Sequence, residues 1–127
     1  MLFADDDEDL RQVVGEVIRE VMGLQLFEAC DGLEAVEVFK QHGDVIGLVL
    51  LDATMPRMKG PEAFQEIRKL RPQVPGILIS GYAEETTREM ASRSGFQRAM
   101  KKPFTLKELK ESVESVLGMG EKASSRP

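Results

Sequence analysis

The chain has 127 residues, 42% hydrophobic and 31% charged, with a formal net charge of -5, the balance of a single globular domain with one sizeable core. That charge argues against a nucleic-acid-binding surface, which needs clustered Lys and Arg; no run of about eighteen apolar residues signals a membrane helix, and no basic-then-apolar start signals a leader peptide. One cysteine (Cys30), one histidine (His42) and no CxxC pair leave almost nothing for a disulfide, a zinc site or a histidine-based triad, and fit a reducing, cytoplasmic setting.

In chain order, a very short apolar run, Leu2-Phe3-Ala4, ends at an acidic cluster. Leu10, Val13, Val14, Val17, Ile18 and Val21 then recur at helical spacing, with Asp7 as cap and Gly23 as stop. Leu24 to Ala29 alternates like a strand, and Leu33, Val36 and Phe39 mark a second helix closed by Gly43. Ile46 to Leu51 is almost continuously apolar, as a strand covered on both faces should be. A loop from Ala53 to Gly60 leads to a helix opened by Pro61, with Phe64, Ile67 and Leu70 expected inward. Pro72 and Pro75 stop it.

Gly76 to Ser80 reads as a fourth strand, Glu84 to Arg93 as a polar, weakly patterned helix, and Gln97 to Lys101 as a poor fifth strand. Thr105 and Glu108 form a capping box for a last helix striped by Leu106, Leu109, Val113, Val116 and Leu117. Alternating strands and helices predict an α/β fold with a parallel sheet. Five such units fit a flavodoxin-like, doubly wound (βα)5 sheet of order 2-1-3-4-5 with helices on both faces. Residues 1–117 would be the domain and 118–127 a polar tail or linker stub.

In such sheets ligands sit at the carboxyl ends of the strands, beside the point where strand order reverses. Strands one and three flank that point and end in Asp5, Asp6 and Asp52. Ionised carboxylates about 5 Å apart repel by about 3 kcal/mol per pair at an effective dielectric of about 20, so the cluster must raise its pKa values or take a hard cation. Mg²⁺ (or Mn²⁺) suits an all-oxygen set. Ser80 and Lys102 end strands four and five, where a hydroxyl and an ammonium can hold phosphoryl oxygens while Asp52 acts as nucleophile. Each feature alone has an ordinary reading: acids favour helix starts, Asp caps loops, Ser ends strands, and Lys lines surfaces. Their combination at four strand ends favours the pocket.

The segments Leu2-Phe3-Ala4-Asp5-Asp6-Asp7, Leu48 to Pro56 with Met58 and Gly60, Leu78-Ile79-Ser80-Gly81-Tyr82 and Lys102-Pro103-Phe104 resemble the motifs of two-component response regulator receiver domains, over Leu2 to Leu117. The resemblance implies Asp52 as phosphoacceptor, Asp6 as direct and Asp5 as mainly water-mediated metal ligand, and the Thr54 backbone carbonyl as a third protein oxygen. It further implies Ser80 and Lys102 on the phosphoryl group and a cis bond before Pro103. Partners would be a histidine kinase or a histidine phosphotransfer domain, with a homodimer through the fourth helix, fifth strand and fifth helix, and no nucleic acid or membrane. The wording Ser80-Gly81-Tyr82 is similar to receivers attached to hybrid sensor kinases.

The family's aromatic switch, three residues before the motif lysine, is here Ala99, with Tyr82 or Phe96 only a loose substitute. An aspartate-nucleophile phosphatase would want a second carboxylate where Thr54 stands. A flavin site would want a Ser/Thr/Gly-rich loop where Asp5 to Asp9 stand, and the intact acidic pocket disfavours a pseudo-receiver. His42 is expected on the surface, Met55, Met58, Met90 and Met100 in packing, and Lys101 pointing away from Lys102.

Overall fold

A computed structural model describes residues 1–118. The elements run β1 (Leu2–Ala4), α1 (Glu8–Glu16) continuing into a π-helical stretch (Val17–Val21), β2 (Phe27–Ala29), α2 (Gly32–His42), β3 (Val49–Asp52), α3 (Gly60–Leu70), β4 (Gly76–Ser80), α4 (Glu84–Ser94), β5 (Arg98–Lys101) and α5 (Leu106–Leu117). All strand pairs are parallel, in the order β2-β1-β3-β4-β5. This is the doubly wound, flavodoxin-like sheet the alternation predicts. Of the 118–127 tail, Gly118 caps α5 with a left-handed φ of 76°, where glycine has no steric penalty; the rest lies outside the described residues.

The three inner strands β1, β3 and β4 are sandwiched, which explains the continuous apolar run in β3. Leu2, Ala4, Val49, Leu51 and Leu78 pack with Val36, Phe39, Phe64 and Ile67 of α2 and α3. Phe3, Leu50, Ile77 and Ile79 pack on the opposite face with Val14, Ile18, Leu109 and Val113 of α1 and α5. A fully buried side chain of this size contributes about 1.5–3 kcal/mol, so the two layers fix the sheet and thereby its carboxyl ends. Stacked Phe64 and Phe96 rings, 4.1 Å apart at their centroids, cover Gly76, where a Cβ would press on both rings.

Several expectations need correction. Leu70 is 50% and Leu106 49% exposed. Both lie at helix ends that overhang short strands, so helical phase alone does not bury them. Val13 and Val21 are also exposed; the π-helical turn after Val17 shifts the phase of the stripe, so Val21 leaves the face that Val17 and Ile18 occupy. β2 is shorter than Leu24–Ala29, and β3 begins at Val49 rather than Ile46, since a 3-10 turn (Gly43–Val45) precedes it. His42 is half-buried and stacks on Phe27 at 4.4 Å, so it is not the open surface residue expected. Met55 and Met100 are buried, and Met58 and Met90 pack against the core.

Candidate functional site

Register places the acidic residues. Ala4 pairs with Leu51, so one step further Asp5 comes beside Asp52 at the strand-order reversal. Carboxylate oxygens of Asp5, Asp6 and Asp52 lie within 4.8 Å of one another. Asp5 and Asp52 are buried and Asp6 is exposed. Asp7 stands outside the cluster: its carboxylate accepts the Leu10 N–H at 3.1 Å and caps α1, which separates it from the Asp5–Asp6 pair.

Lys102 reaches in from the turn after β5. Its Nζ lies 2.8 Å from Asp5 Oδ2 and 3.2 Å from Asp52 Oδ1. Burial alone would lower the lysine's pKa, but Asp5 and then Asp52 outweigh it and hold the ammonium above its ordinary value. Asp52 is pushed up to about 6, first by burial and then by the Asp5 charge, against the opposing pull of Lys102. At pH 7 the carboxylate form therefore still predominates. The Lys102–Pro103 peptide bond is cis. Lys101 is exposed, and its Nζ donates to the Lys102 carbonyl at 3.2 Å, away from the carboxylates.

Ser80 ends β4 and is buried; its Oγ accepts the Tyr82 N–H at 2.9 Å, which fixes the oxygen and leaves the hydroxyl hydrogen free to donate. Thr54 follows Asp52 into the β3–α3 loop and is exposed. Ala99 sits half-buried on β5. Together with Glu84, Thr87, Arg88 and Lys101 it lines a cavity of about 40 Å³.

The cluster fits a divalent cation. Three carboxylates against one ammonium leave two negative charges, and the donors are all hard oxygens. Asp5 Oδ2 has no hydrogen-bond partner although it is fully buried. Its 2.8 Å approach to Lys102 Nζ is a charge contact without hydrogen-bond alignment, so the oxygen keeps acceptor capacity that burial makes costly to leave unused.

Three further contacts brace the segments around the pocket. The Arg11 guanidinium donates to the Asp5 carbonyl at 2.6 Å, steadying the β1 end. The Thr54 hydroxyl and the Tyr82 phenol lie 3.2 Å apart, joining the loops after β3 and β4. Buried Thr87 donates its hydroxyl to the Tyr82 carbonyl at 3.3 Å. All join residues on separate elements or turns, and no local sequence pattern signals them.

Comparison with known proteins agrees with this geometry. The sensor kinase CckA of Brucella abortus is 34% identical over 113 residues, 88% of this chain and 12% of that protein. The transcriptional regulatory protein CpxR homolog of Haemophilus influenzae is 31% identical over 117 residues, 92% of this chain and 49% of the relative. The chain thus spans at most about half the length of these curated relatives. A CheX–CheY–BeF3–Mg complex from Borrelia burgdorferi superposes with a TM-score of 0.82 at 27% identity, covering 91% of this chain and 87% of that one. The receiver domain of the Francisella response regulator 1452 gives 0.78 at 28%, covering 91% and 93%. No helix among the described residues is long and apolar enough to cross a membrane. The family model described as the response regulator receiver domain matches residues 1–114, and the chain belongs to that family of two-component signalling domains.

Proposed function

We propose that the domain accepts a phosphoryl group onto Asp52 from the phosphohistidine of a histidine kinase or histidine phosphotransfer domain. The observation that carries this reading is the charge pattern at the strand ends: three clustered carboxylates with one lysine between Asp5 and Asp52. Asp5, Asp6, Asp52 and the Thr54 backbone carbonyl would hold Mg²⁺ or Mn²⁺. When bound, that ion positions the transferring group and neutralises its charge.

An Asp52 oxygen attacks phosphorus while the bond to the donor nitrogen breaks and its electron pair leaves with the imidazole. Lys102 Nζ and the Ser80 hydroxyl donate to phosphoryl oxygens as charge builds. In hydrolysis a water oxygen attacks phosphorus while the bond to the Asp52 oxygen breaks, its electron pair staying on the carboxylate, and inorganic phosphate and a proton are released. Movement of Ser80 toward the phosphoryl group then biases the loop and helix that follow it. The face of α4, β5 and α5, where Arg98 and Lys101 are exposed on an edge strand, is the surface for a partner or a second copy. The CheY of the Borrelia burgdorferi complex, solved with BeF3 and Mg, supports the choice of ion.

Incubation with acetyl phosphate and Mg²⁺ should add the mass of one phosphoryl group, and Asp52→Asn should abolish the addition. Lys102→Ala should keep metal binding and weaken the phosphorylated state. Labelling that survives Asp52→Asn moves the acceptor elsewhere.

A further inference from the structure

The loop between β3 and α3 carries Thr54, yet most of it is exposed, and something must hold its course. Its base is closed locally: Gly60 N–H donates to the Ala53 carbonyl at 3.2 Å, and Gly60 packs so tightly on the Asp52 carbonyl that no Cβ fits. Its apex is held from outside. Met58 N–H donates to the Pro56 carbonyl at 2.7 Å, two residues back, with Arg57 between them at φ 67°. That is a γ-turn of the positive-φ kind, rare and strained for a residue with a side chain.

The strained residue itself makes the external contact. Arg57 Nε donates to Asp31 Oδ2 at 2.9 Å. Asp31 is 6% exposed, and its other oxygen accepts the Glu34 N–H at 2.8 Å, capping α2. Beside it, Gly32 faces the Met58 carbonyl with no room for a Cβ. The loop apex therefore rests on the first turn of α2, an element that contributes no side chain to the acidic pocket. A charge-assisted bond to an anchored carboxylate is stiffer than a neutral one, and here it spans 26 residues.

We infer that Arg57 and Asp31 form a positioning pair: their ion pair holds the γ-turn against α2 and so sets where the Thr54 carbonyl stands relative to Asp52, touching neither. The inference rests on the metal-assisted reading above. It assigns to α2 a part in cation binding that its distance from the carboxylates conceals. A purely structural ion pair would affect folding and leave the cation untouched. Arg57 is largely exposed on its side chain, so its removal leaves the core intact, and Asn at position 31 keeps a capping oxygen.

The test is Mg²⁺ titration of the domain, followed by amide shifts of Asp6, Asp52 and Thr54, alongside the metal-free unfolding midpoint. Arg57→Ala should weaken Mg²⁺ about tenfold, the usual scale for an outer residue that orients a ligand, with the unfolding midpoint nearly unchanged. Arg57→Lys should recover most of the loss, and Asp31→Asn should weaken Mg²⁺ similarly. Combining Asp31→Asn with Arg57→Ala should add little, since both remove one interaction. Wild-type affinity in Arg57→Ala, or losses that add in the double variant, overturns the pair's role alone. Failure of the wild type to bind Mg²⁺ overturns the metal reading and, with it, the pair.

Discussion

Helices α3 and α4 are both eleven residues long and each follows a strand that ends in a pocket residue, Asp52 or Ser80. They are anchored very differently. α3 buries Gly60, Ala63, Phe64 and Ile67, and Arg68 lies over the Phe64 ring at 4.5 Å. α4 buries only Thr87 and Ala91, and its start is tied through the Thr87 hydroxyl bond to the Tyr82 carbonyl. The wall that follows Asp52 is thus part of the core, whereas the wall that follows Ser80 is lightly attached. Segments with few buried apolar contacts open at low free energy. Under the proposed function, a phosphoryl group pulling on Ser80 would meet resistance from hydrogen bonds more than from packing.

The largest effect that would test this contrast is on stability. Phe64→Ala should cost about 3–5 kcal/mol in urea unfolding, while Met90→Ala on α4 should cost about 1 kcal/mol or less. Similar costs at the two positions would abolish the contrast.

A smaller effect concerns charge at the end of β3. The folded domain holds Asp52 at about 6, above its ordinary value of 3.8, so between these values it binds more protons than the unfolded chain. Stability from this group is therefore greatest below about pH 4, falls as pH rises to about 6, and is flat beyond. In the absence of metal, Asp52→Asn should stabilise the domain by up to about 3 kcal/mol at pH 8, an advantage that shrinks toward pH 4. Equal offsets at both pH values would show an unperturbed carboxylate.

The smallest effect sharpens the picture at the junction of the two walls. Tyr82→Phe removes the bond to Thr54 and should cost about 0.5 kcal/mol. Amide exchange should quicken between Ser80 and Phe96 and stay unchanged in α3. Equal acceleration in both helices would mean that the walls move together.

Much of this was legible from the chain. The apolar run through Val49, Leu50 and Leu51 announces a strand covered on both faces, and Asp52 at its end falls where such sheets bind ligands. Asp5 beside Asp52 follows once the order 2-1-3-4-5 is assumed, whereas Lys102 meeting Asp5 does not, because β3 and β4 stand between their strands. Side-chain partners are harder, because nothing local specifies them: Thr54 finds Tyr82 28 residues away, and Arg57 finds Asp31 26 residues back. Periodicity also misjudged helix ends. Leu70 and Leu106 keep the phase of their stripes but run past short strands, and Val21 loses phase in the π-helical turn. A non-glycine residue at positive φ, such as Arg57, gives no signal in composition at all.

Gly76 lies beneath the stacked rings of Phe64 and Phe96, and that arrangement constrains the order in which this sequence can change. With both rings present, any larger residue at Gly76 meets them, so the step is closed. Phe64→Leu or Phe96→Leu alone opens a gap that Gly76 is too small to fill. Gly76→Ala becomes tolerable only after a ring has shrunk, and then helps to refill the space. The three positions, drawn from α3, β4 and the turn before β5, are thus heritable as one unit. A graft of this domain's α3 onto a related scaffold must carry Gly76 and Phe96 with it.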